Sequence, residues 1–153
     1  GERLIELGLL ARTDLEDALR RQFLWKIDEI CCWEEGQFRY KACEIPASHR
    51  GTVLDDPAQL YWSSLQRIYP MERAKKRLFP VLGATASWSG AGLDLGRLEL
   101  PAAAYHVTEQ INGVYRTEQL VNDSTDPQLA LLGVYALTAF GTLTYSSPPP
   151  KLR

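Results

Sequence analysis

Proline sets where helices in this chain can start and stop. The sequence carries nine prolines in 153 residues, and several stand beside a helix signal. Asp56-Pro57 and Asp126-Pro127 each pair a side-chain cap with a ring that pre-sets the first helical turn. Pro70 interrupts the helical spacing of Leu60, Tyr61, Ser64, Leu65 and Ile68, and Pro80 closes a short basic stretch over 72–78. Pro101 opens a further helical region, in which Ala102, Tyr105, Val107, Thr108 and Ile111 lead to an Asn112-Gly113 turn. A chain punctuated this often makes short helices. No apolar run in it approaches the roughly 20 residues that a membrane helix needs.

The first 36 residues are less interrupted. Leu4, Ile5 and Leu7 predict a short helix stopped by Gly8. Thr13 then reads as an N-cap, with Asp14, Glu16 and Asp17 in a first turn that favours negative charge. Leu15, Ala18, Leu19, Gln22, Phe23, Ile27, Ile30 and Cys31 continue at helical spacing, and Gly36 reads as the closing turn. Over 37–44, Phe38, Tyr40 and Ala42 alternate with Arg39, Lys41 and Cys43, the period of a strand. Shorter strands are expected over 84–88, 97–100 and 143–145. Thr117 reads as the cap of a short helix, and Leu129, Leu132, Val134, Tyr135, Leu137 and Phe140 as a last helix ended by Gly141. Together these segments predict a mainly helical α+β fold: a helical pair plus short strands, then a small winged-helix-like three-helix unit. The expected divisions are 1–45, a helical connector and loop over 46–100, the small helical unit over 101–147, and a stiff linker over 148–153 with three consecutive prolines. A start on Gly1 and a proline-rich end read as a piece of a longer polypeptide.

Charge and composition remove several functions. Seventeen bases against 19 acids leave a net charge of −2, too balanced for binding polyanions through bulk positive charge. The distribution is uneven. Residues 1–36 hold nine acids and five bases, whereas 67–77 hold five bases (Arg67, Arg73, Lys75, Lys76, Arg77) and one acid. That cluster suits an acidic partner, a nucleotide phosphate or plain solvation. A DNA-reading helix at 127–140 would carry polar or basic side chains, yet no charged residue lies there. Three cysteines form a poor disulfide framework, which predicts reduced thiols and a cytoplasmic location. Cys31, Cys32, Cys43 and His49 lack the spacing of a zinc knuckle and are expected as small core residues and a loop histidine, with no metal. His49 and His106 have no nucleophile in a recognised motif, and no glycine-rich loop has the context of a phosphate cradle. No catalytic residue is therefore assigned, and the chain is expected not to be an enzyme. Four tryptophans and seven tyrosines are many for this length. Trp33, Phe38, Tyr61, Trp62 and Trp88 are the candidate interaction residues, because exposed aromatics anchor interfaces.

Two resemblances add to this reading. Gly1, Leu4, Ile5, Gly8, Leu9, Leu10, Leu15, Leu19 and Gln22 follow a pattern that resembles one half-motif of the N-terminal cyclic-di-GMP-binding domain of type II secretion and pilus ATPases. The resemblance implies nucleotide contacts from Gly1, Arg3, Gly8 and Gln22, joined by Arg73 and Lys76 of the basic cluster. A second half-motif is missing over 46–69. The stretch Thr13–Tyr40, with Trp33, Gly36 and Phe38, resembles the end of PATAN-type domains. Residues 98–145, with Ile111-Asn112-Gly113, Glu118-Gln119-Leu120-Val121 and Tyr135-Ala136-Leu137, are similar to the helical unit that follows in longer members. That family implies a non-enzymatic module of bacterial signalling or motility proteins. Together with the absence of catalytic motifs and the linker-like ends, it leads to the expectation of another protein or a second copy of the chain as partner; charge and hydropathy argue against DNA and membrane, and no cofactor is expected. Cyclic-di-GMP sensing and a winged-helix-like adaptor are the alternatives.

Overall fold

Helices supply most of the secondary structure, as the proline spacing predicts. The computed structural model describes residues 1–37, 39, 41, 56–90 and 94–146. Among them are α1 (Glu2–Glu6), α2 (Arg12–Cys31), α3 (Pro57–Ile68), α4 (Met71–Leu78), β1 (Thr85–Trp88), α5 (Ala102–Gln110), α6 (Thr117–Asn122), α7 (Pro127–Ala139) and β2 (Leu143–Ser146). The fold is mainly helical α+β, with one small antiparallel sheet among the described residues. Two units divide within α3, as Gly1–Ser64 and Leu65–Arg153.

In the first unit α1 and α2 follow each other across Gly8, whose φ is +68°. The expected cap at Thr13 is displaced. The chain is already extended at Ala11, which caps α2, so Thr13 falls inside the first turn. A Cβ on Gly1 would lie 2.5 Å from a methyl of Leu15, so the start of α1 sits directly on α2. α2 spans 20 residues and buries none of them. Cys32 closes it, donating its N–H to the carbonyls of Asp28 and Glu29, and Gly36 lies beyond the end rather than capping it. Most of the predicted strand at 37–44 lies outside the described residues. α3 begins as expected: the Asp56 carboxylate accepts from the Ala58 N–H at 2.8 Å. Its buried stripe runs Ala58, Trp62, Leu65 and then Tyr69, at helical spacing.

The second unit is organised around α7, which carries no charge and is buried along most of its length. Asp126 caps it, accepting from the N–H groups of Gln128 and Leu129 at 3.0 and 3.1 Å. α5 crosses α7 closely, with Gly133 against Ala104, and α4 and α6 also pack on α7. β1 pairs antiparallel with β2 in the register Thr85↔Ser146 to Trp88↔Leu143. On the other side of β1, Thr85 bridges to Arg116, and the Gly113 N–H reaches the Ala86 carbonyl at 2.9 Å. β1 thus has backbone partners along both edges, β2 on one and the 113–118 segment on the other. The turn at Gly113 has φ +79° and passes so close that a Cβ would stand 2.6 Å from Ser87 Oγ.

Two local expectations are corrected here. Thr117 does not cap α6; it is the first helical residue, buried, and both its N–H and its hydroxyl donate to the Ala84 carbonyl. Arg116 precedes α6, and its N–H donates to Gln119 Oε1 at 3.0 Å. No strand forms over 97–100; Asp94 accepts from the Gly96 N–H and starts a 3₁₀ turn over Leu95–Arg97 instead. The expected three helices and closing strand are present, but the strand that pairs with β2 comes from upstream of all three helices.

Candidate functional site

An interaction site can be recognised by apolar side chains that the fold leaves in water. In the first unit these lie along the helical pair. Leu15, Phe23, Leu24 and Ile27 of α2 are half-buried, while Leu19, Ile30 and Trp25 are exposed, Trp25 to 65%. Trp33, just past the helix end, is 59% exposed. Leu4, Leu7 and Leu9 are also exposed. The sequence spaces apolar residues all along α2, which is why an α-helix forms, yet none reaches the covered state of a core residue.

In the second unit the charge lies on α4. Ala74 and Leu78 are one helical turn apart and buried, which turns Lys75, Lys76 and Arg77 outward. Lys75 donates to Glu72 at 2.8 Å, an exposed pair of little energetic weight. Phe79 follows the helix at 77% exposure, the largest among the exposed apolar side chains described. It stands three and four residues after Lys76 and Lys75, so it shares their face. It falls one residue, about 100° of helix turn, off the buried Ala74–Leu78 stripe. Trp88, Val114 and Tyr115 are exposed beside the sheet, where Gly113 meets β1.

The remaining sequence candidates separate. Trp62 is fully buried and is a core residue, not a contact; adjacent Tyr61, about 100° round the helix, is half-buried. Trp33 and Trp88 are exposed, and Phe38 lies outside the described residues. Gly1, Arg3, Gly8 and Gln22 all belong to the first unit, Arg73 and Lys76 to the second. Arg3 is exposed and 3.6 Å from Glu6, and Asp14 occupies the first turn of α2, where a phosphate would need bare N–H groups. Cys31 and Cys32 are half-buried rather than core residues. Cys43 and His49 lie outside the described residues.

Two features were not anticipated. The first is a groove of about 390 Å³ with Met71, Leu82, Val121 and Leu131 as its apolar lining and Lys75 and Glu118 among its polar side chains. No serine, cysteine or histidine lines it, so it presents no nucleophile of those types and no histidine base. The second is a pair of tyrosines. Tyr69 and Tyr135 stack with centroids 4.9 Å apart, and the Tyr69 hydroxyl donates to that of Tyr135 at 2.8 Å. Arg73 lies over the Tyr69 ring at 5.6 Å. Burial, then the hydrogen bond to Tyr135, raises the Tyr69 phenol well above its ordinary value. Burial also raises Tyr145, which is hydrogen-bonded to Thr138.

A phenol whose folded-state pKa is raised stabilises the fold fully below its unfolded value of about 10 and loses that contribution as pH climbs above it. Unfolding free energy is therefore expected to fall from about pH 9.5 upward. Tyr69→Phe should make that decline shallower in urea titrations at stepped pH; an unchanged slope would remove Tyr69 as its source.

No helix among the described residues is long and apolar enough to cross a membrane. Comparison with protein-family models, curated proteins and solved structures gives no match.

Proposed function

We propose that the chain is a non-enzymatic protein-interaction module, serving as a regulatory part of a bacterial signalling or motility protein in the cytoplasm. The observation that carries this reading is α2: a 20-residue helix with no buried residue, bearing exposed Trp25 and Ile30 and followed by exposed Trp33. Large apolar side chains kept in water along one element are what a partner covers, and tryptophans dominate the energy of such contacts. The order α5, α6, α7, β2 supports a winged-helix-like adaptor as the form of the second unit, with α7 serving as core. Cyclic-di-GMP ranks behind, because Asp14 in the first turn of α2 would repel a phosphate brought to that helix start.

The test is affinity capture from bacterial lysate with the chain as bait, read by mass spectrometry against Trp25→Ser/Trp33→Ser. The expected result is a defined protein retained by the wild type and reduced at least tenfold by the variant, the scale of losing a hot spot worth about 2 kcal/mol. Equal capture by both baits would refute the reading.

A further inference from the structure

The exposed end of α2 and the exposed end of α4 carry opposite net charge. Past the middle of α2 come Glu29, Ile30, Trp33 and Glu35, all exposed. At the end of α4 come Lys76, Arg77 and Phe79, also exposed. Each patch sets an aromatic ring beside an excess of one sign of charge: four acids to one base (Lys26) over 26–35, and four bases to one acid (Glu72) over 71–79. Among the described residues, none of Glu29, Glu35, Lys76 and Arg77 has an ion-pair partner. Each patch thus lacks a counter-charge that the other holds.

We infer that the chain associates head to tail with a second copy of itself, the acidic end of α2 in one copy seating on the basic end of α4 in the other. The inference rests on the protein-interaction reading and names its partner. Trp33 and Phe79 form the apolar centre of the contact, and the four charges form a rim that sets orientation and speeds encounter. A symmetric contact of either patch with itself would bring like charges together, which works against it. The contact therefore joins unlike patches, and each copy offers one of each, so pairing either closes reciprocally at two copies or continues into rings or filaments. An acidic protein of another kind, or an anionic membrane, would use only the α4 patch and leave the α2 patch idle.

Sedimentation velocity of the purified chain tests this. The weight-average mass is expected to climb with concentration to two copies or more, and to climb less in high salt, since rim charges are screened. Lys76→Ala/Phe79→Ser and Trp33→Ser/Glu35→Ala should each weaken self-association at least tenfold. All four positions are exposed, and circular-dichroism melting shows whether the variants remain folded. Mixed together, the two variants keep one good patch each and should form a 1:1 dimer that grows no further. A wild type that stays monomeric throughout, an assembly indifferent to both variants, or a mixture that stays monomeric overturns the inference. A monomeric wild type that still captures a foreign protein through Trp25 and Trp33 removes this inference alone; a chain that does neither removes the interaction reading as well.

Discussion

Replacing Trp62 by alanine is expected to lower the unfolding free energy by about 3–5 kcal/mol, the range for deleting a fully buried aromatic. Trp62 has no exposed surface and is the largest of the fully buried side chains. It stands mid-way along the stripe of Ala58, Trp62, Leu65 and Tyr69, so its loss leaves a void that neighbours on α3 cannot fill without moving the helix. Trp62→Phe should lose less, because most of the apolar volume stays. Trp25→Ala is the control: its ring is mostly in water, and its removal should stay within about 0.5 kcal/mol. Urea unfolding followed by circular dichroism separates the cases. Similar losses for Trp25 and Trp62 would contradict the burial described for both.

The second large effect is at the crossing of α5 and α7. An ideal Cβ on Gly133 would stand 3.1 Å from the Cβ of Ala104 and 3.5 Å from its Cα. Gly133→Leu is expected to lose about 3 kcal/mol, since the new side chain must push two buried helices apart. Gly133→Ala is a closer contest. Helix propensity favours alanine over glycine by about 1 kcal/mol, and the crowding against Ala104 opposes it by a similar amount. The two residues should therefore be coupled. In the Ala104→Gly background, where that contact is relieved, Gly133→Ala should become stabilising. A double-mutant cycle with no interaction energy would show that the helices do not meet at this pair.

The helix starts marked by an Asp-Pro pair were legible because capping is local, whereas the caps expected at Thr13, Gly36 and Thr117 were not the boundaries. Asp126-Pro127 and Asp56-Pro57 start helices, as those pairs predict, and Gly141 follows α7. The short strands near 84–88 and 143–145 were legible too, but their pairing was not, since it is a contact between residues far apart in the chain. Thr117 shows the same limit at one residue. Its hydroxyl suits a cap, yet it serves the Ala84 carbonyl because the segment before α6 runs beside β1. Trp62 and Trp33 are indistinguishable as residue types, and only packing makes one a core residue and the other a contact. The basic character of α4 could be read directly, whereas the tyrosine stack joins the residue after α3 to α7 and the groove lies among α4, α6 and α7, contacts between parts far apart in the chain.

The pairing of β1 along both its edges also decides where this protein can be cut. The helices α5, α6 and α7 look like a self-contained module along the sequence, beginning at Pro101. A fragment starting there would strand the N–H groups of Gly113, Thr117 and Glu118, whose acceptors are the carbonyls of Ala86, Ala84 and Leu82. It would also leave β2 without its neighbour and the Leu143 side chain without cover from Trp88 across the pair. The smallest transplantable piece therefore begins no later than Leu82, and recombination at Pro101 would deliver a broken part.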